Sequence, residues 1–106
     1  MATRENKVTI VRGTILEDEV VLTLAELCQA SQLPAERVIE LVQEGVVEPV
    51  GEDPASWSFR GVSLRRIRCA QRLEDDLGVN TAGIALALDL LDELKRLRAR
   101  LGRFET

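Results

Sequence analysis

A chain of 106 residues that is 45% apolar and 30% charged has the balance of one folded domain with a single core. No apolar run approaches the roughly 20 residues that a bilayer span needs. The chain has no His and no Tyr, which removes the usual general base and every Ser-His arrangement. The net charge of −4 is unevenly spread: residues 1–53 carry 4 basic and 11 acidic side chains, residues 54–106 carry 10 and 7. Such asymmetry fits either a binding surface or solvated helix faces of different sign.

Residues 1–19 read as an N-terminal extension, partly disordered, ahead of a folded unit over 20–104. The opening MATRENK lacks the apolar stretch of an export signal. Lys7, Val8, Thr9, Ile10 and Val11 alternate like a strand, and the extended segment 20–22 is free to pair with a later one. Thr23 with Glu26 three residues on is a capping box that opens a short helix, with Leu24, Leu27 and Cys28 inward. A linker, Ala30 to Leu33, leads to Pro34, suited to a first helical position.

The helix over 34–44 places Val38, Leu41 and Val42 on one face. Glu36, Glu40 and Glu44, at i, i+4 and i+8, line another as an acidic stripe against a single Arg37. Gly45 stops it and Pro49 forbids continuation. Helix, short connection, helix and Gly stop is helix-turn-helix grammar.

Residues 46–50, a turn over 51–54 and residues 57–59 predict a β-hairpin wing. Trp57 and Phe59 alternate with polar neighbours and pin the wing to the core. A third helix over 62–77 turns Leu64, Ile67, Ala70, Leu73 and Leu77 inward and leaves Arg65, Arg66, Arg68 and Arg72 elsewhere. Asn80 caps a last helix running from about 81 to 102. Its first half is apolar almost all round and is expected to be buried. Its second half narrows to a seam through Ala87, Leu90, Leu94, Leu97 and Leu101, about two heptads of coiled-coil pattern. Two heptads do not stand alone, so the seam packs on its own domain or on a second copy, and the hazard of an exposed apolar stripe favours a second copy held through Leu90, Leu94, Leu97 and Leu101.

These elements in this order carry a resemblance. Leu24-Ala25-Glu26-Leu27-Cys28, Glu44-Gly45-Val46-Val47-Glu48-Pro49, Trp57-Ser58-Phe59, Gln71-Arg72-Leu73, and Gly83 to Leu88 leading on to Leu101-Gly102-Arg103-Phe104 resemble a MerR-like winged helix-turn-helix. They are more closely similar to the chaperone modulators of the CbpM type. The resemblance covers about residues 20–104 and implies a mainly α fold with a small β-wing and a long C-terminal helix. It also implies a partner, the J-domain of a DnaJ-like co-chaperone (CbpA type), and inhibition of that protein's work with DnaK. The extension before residue 20 is longer than the family pattern.

Charge discriminates between this reading and a MerR-like transcription factor. A DNA reader needs Arg or Lys on its second helix and wing, because phosphate neutralisation supplies most of the affinity. Here the second helix carries three Glu against Arg37, and the wing turn adds Glu52 and Asp53. DNA contact is thereby demoted to the arginines of the third helix. A J-domain presents a basic helix to DnaK as a family feature, which an acidic stripe complements. A second acidic group, Glu74, Asp75 and Asp76 with Asp89, Asp92 and Glu93, fits the same kind of partner or pairs with Arg72, Lys95 or Arg96. The partner-binding candidates are therefore Glu36, Glu40, Glu44, Asp75, Asp76, Asp89 and Asp92.

No cofactor is expected. Cys28 and Cys69 lie 41 positions apart without His, a poor zinc set, and both fall on apolar helical faces as small hydrophobes. Reduced cysteines and no export signal point to the cytoplasm. The sequence-based expectation is a non-enzymatic protein-binding inhibitor.

Overall fold

The computed structural model describes residues 20–105, with side chains to Arg103. The alternation at residues 7–11 and the expected disorder of the extension lie outside the described residues. A short strand, β1 (Val21–Thr23), leads directly into α1 (Leu24–Ser31), followed by α2 (Ala35–Gln43), β2 (Ser58–Arg60), α3 (Gly61–Leu77) and α4 (Thr81–Glu105). The molecule is mainly helical with one two-stranded antiparallel sheet.

Local chemistry sets each boundary. The Thr23 hydroxyl accepts from the Glu26 N–H at 3.1 Å, and the Glu26 carboxylate accepts from the Thr23 N–H at 2.9 Å. Two donors that a helix start leaves orphaned are thus satisfied reciprocally. Gln32 closes α1 in the left-handed region at φ 60. Pro34 stands one place earlier than expected: its backbone is extended and its carbonyl accepts from Arg37 N and Val38 N, so it is the N-cap of α2. At the other end Gly45, at φ 80, forms a Schellman motif, with Gly45 N donating to Val42 O and Val46 N to Leu41 O.

The wing is smaller than the sequence pattern predicts. Val46 and Val47 are buried in the core, so they cannot form a solvent-facing hairpin strand. Only Val50 bridges to Ser58. The main partner of β2 is β1, with Leu22 opposite Phe59, the pairing left open for residues 20–22. A 3-10 turn over Pro54–Ser56, capped by the Asp53 carboxylate, completes the wing. Trp57 packs edge-to-face on Phe59, ring centroids 6.0 Å apart, in the core role expected of it.

The core joins Leu22, Leu27, Val38, Leu41, Phe59, Leu64, Ile67 and Ile84. Two expectations fail here. Leu77 is 72% exposed, because α3 runs past the end of the core. The first half of α4 is not buried all round either: Ile84 and Leu88, one turn apart, are covered, whereas Leu86 and Leu90 are exposed. The reason is geometric. Among the described helices, α4 packs chiefly on α3, and one neighbour covers one face.

Candidate functional site: two acidic surfaces and a leucine face

Arg37, the single base of α2, organises the first acidic surface. Its guanidinium donates to Glu74 Oε2 at 2.6 Å and to Thr81 Oγ1 at 2.8 Å, and it pairs with Glu40 one turn along. The Thr81 hydroxyl in turn donates to Glu40 Oε1 at 3.1 Å. One side chain thus joins α2, the last turn of α3 and the first residue of α4. In doing so it brings the α2 stripe together with the acidic end of α3.

Glu36 on α2, Glu44 at its C-cap, and Asp75 and Asp76 on α3 are exposed, and none forms an ion pair among the described residues. Asp75 and Asp76 sit in the last turn of α3, where the carbonyl end of the helix opposes negative charge. The region therefore holds several carboxylates on rigid helices around one half-buried arginine.

Asp89 and Asp92 lie elsewhere. Both face Arg66 of α3, which also donates through Nε to the carbonyl of Val46 at 2.5 Å. Arg66 thereby ties the turn after α2 to α4. Asp89 and Asp92 border a groove of about 510 Å³ that also touches Gly45 and the wing residue Val50. The pairing partners expected for the later acidic residues were Arg72, Lys95 and Arg96. Of these, Arg96 pairs with Glu93 one turn away, whereas Glu74 and Asp92 take Arg37 and Arg66 from distant parts of the chain.

Sequence reasoning missed Arg37 and Arg66 as organising residues. For Arg37 a signal existed: it is the one base on an otherwise acidic helix. For Arg66 none did, since it stands among three other arginines.

Along α4, Leu90, Leu94, Leu97 and Leu101 are 60%, 41%, 50% and 59% exposed. Leu86 and Leu91, beside Ala87 and Leu90, are exposed as well. The exposed apolar face is therefore broader there than the expected seam.

Burial pushes the Cys28 thiol above its ordinary pKa, as suits a residue packed against the core. Among the described residues no three His, Cys, Asp or Glu side chains gather as metal ligands, and no helix is long and apolar enough to cross a membrane.

A strand leading into two short helices, a wing, and a long last helix packed on a third make a winged helix-turn-helix. The family model described as MerR HTH family regulatory protein matches residues 22–105. A curated relative from Coxiella burnetii, named Chaperone modulatory protein CbpM, is 43% identical over 96 residues, covering 91% of each chain. Proteins of the same name from Pseudomonas putida and Pseudomonas entomophila are each 39% identical over 90 residues, covering 78% of this chain and 89% of theirs. The chain belongs to this CbpM family of chaperone modulators, within the MerR-like helix-turn-helix proteins. These names are those of regulators, not enzymes.

Proposed function

We propose that the protein binds the J-domain of a DnaJ-like co-chaperone of the CbpA type, in the cytoplasm, and inhibits its action with DnaK. The observation that carries this reading is the acidic surface around Arg37. Glu36, Glu44, Asp75 and Asp76 are exposed on or at the ends of the helices it joins, and a basic J-domain helix would be their electrostatic complement. Seated there, the J-domain has its DnaK-facing helix covered. Asp89 and Asp92 form a second, smaller acidic edge, already balanced by Arg66.

The same surface argues against DNA reading by α2. A phosphate approaching that helix meets Glu36, Glu40 and Glu44, while its one arginine is engaged by Glu40, Glu74 and Thr81. Arg66 is likewise occupied. We infer further that two copies associate through Leu90, Leu94, Leu97 and Leu101, whose exposure on a lone chain is an aggregation hazard.

The test is titration of the full chain against a purified J-domain and against duplex DNA. J-domain binding that weakens with salt, and weakens several-fold in a Glu36→Lys, Asp75→Lys, Asp76→Lys variant, supports the reading. Unchanged affinity in that variant removes this face as the site. Strong DNA binding with no J-domain binding replaces the reading with that of a transcription regulator.

A further inference from the structure

The groove of about 510 Å³ bounded by the wing, the first turns of α3 and α4 holds polar groups that the fold leaves unanswered. Val50 exchanges both backbone bonds with Ser58, at 2.8 and 2.9 Å. Continuing that antiparallel register by two places sets Glu48 opposite Arg60. The ladder stops short of them, because Val46 and Val47 are drawn into the core. Glu48 and Arg60 both line the groove, and neither forms an ion pair among the described residues. Ser63 lines it as well; it is only 3% exposed, yet its hydroxyl makes no hydrogen bond among the described residues.

We propose that this groove binds the carboxyl terminus of a peptide that ends in Lys or Arg, with an apolar residue before it. The carboxylate belongs at the start of α3. That helix of 17 residues has no side-chain cap at Arg60. The N–H groups of its first turn, at Val62 and Ser63, therefore remain for an anion, and the helix dipole favours one there. The Ser63 hydroxyl and the Arg60 guanidinium add two further donors at the same end of the groove.

The opposite wall sets the rest of the ligand. Asp89 and Asp92 share one cation, Arg66, so with Glu48 this wall keeps an excess of negative charge. It attracts a cation and repels a second anion, which disfavours a nucleic-acid backbone with its run of phosphates. Arg66 stands one turn after Ser63, about 5 Å along the helix. The Asp92 it holds is thus within reach of a Lys or Arg side chain whose carboxylate sits at Ser63. Val50 and Val62, 65% and 39% exposed, form an apolar rim for the preceding residue. This inference stands apart from J-domain binding: it uses none of the carboxylates around Arg37, and its test contains no J-domain.

The probe is acetyl-Leu-Lys with a free carboxylate, titrated into isotope-labelled full-length protein while backbone amide shifts are followed by NMR. A saturable shift of the Val62 and Ser63 amides at millimolar peptide is expected. Ending the peptide in a carboxamide is expected to weaken binding about ten-fold or more, and Ser63→Ala several-fold. If circular dichroism shows Ser63→Ala to be unfolded, Arg60→Gln, on an exposed side chain, takes its place. Asp89→Asn with Asp92→Asn is expected to weaken acetyl-Leu-Lys and to leave acetyl-Leu-Leu no weaker. The absence of a saturable shift, or equal binding of the carboxamide peptide, overturns the proposal. Free L-lysine that binds as tightly as the acetylated peptide assigns the groove to an amino acid, and tighter binding of acetyl-Leu-Glu makes it a plain anion site. Either result also overturns it.

Discussion

Arg37 and Glu74 are 37 positions apart in the chain and meet at 2.6 Å. Their contact makes one surface of two acidic segments that the sequence presents separately. Arg37 also limits the repulsion among the carboxylates it gathers.

Replacing Arg37 with Met is expected to cost about 1 kcal/mol, because the pairs it forms are half-exposed and screened by solvent. The more telling outcome is the salt response. Without the guanidinium, Glu36, Glu40 and Glu74 repel one another, so added salt should stabilise the variant more than the parent. Urea unfolding at low and high ionic strength measures both, and equal salt slopes would show that Arg37 does not hold this surface together.

The leucine face of α4 yields a test of association. Leu94→Arg with Leu97→Arg is expected to convert a dimer to a monomer in sedimentation velocity. The helical circular dichroism of the domain should largely persist, since both side chains are exposed on the single chain. A parent protein that sediments as a monomer at every concentration would contradict the inferred self-association.

Gly51 sits at φ 122, and a Cβ placed there would lie 2.7 Å from the carbonyl oxygen of Ser56. Gly51→Ala should therefore cost about 1–3 kcal/mol by straining the wing turn. The same substitution at Gly102, where nothing lies within 4 Å, should be neutral or mildly stabilising through helix propensity. Thermal melts of the two variants make the comparison.

Cys28 supplies a pH dependence. Burial raises its pKa, so the unfolded chain releases this proton first as pH rises. Its contribution to stability is complete below the ordinary thiol pKa and is lost as pH rises toward the higher folded value. Cys28→Ala should remove that part of the alkaline decline in urea midpoint. Thiolate formation at Cys28 should likewise set in at higher pH than in the unfolded chain, which alkylation rates in the presence and absence of urea would read.

Local signals were the most legible part of the sequence. The Thr23–Glu26 capping box, the Gly45 stop and the Asn80 cap, whose Oδ1 accepts from Gly83 N at 2.8 Å, all rest on residues within a turn of each other. Periodicity found the buried faces of α1, α2 and most of α3. It misjudged Leu77 and the first half of α4, because hydrophobic spacing says which face is apolar and not whether a neighbour reaches it. The wing was overdrawn for a related reason: Val46 and Val47 read as strand but serve the core. The site was legible as a set of acidic residues and illegible as a surface. The contacts that assemble it, Arg37 with Glu74 and Arg66 with Asp89 and Asp92, span tens of residues and leave no periodic trace.

The bond between Thr81 and the Arg37–Glu40 pair has a mechanical consequence. α4 is gripped at its first residue, while from Leu94 onward every described side chain is exposed. Ile84 and Leu88 in the core, and Arg66 paired with Asp89 and Asp92, hold it further along. The arm left without support runs about 14 Å from Asp92 to Leu101, and any tilt of α4 on α3 moves its leucine-bearing end the most.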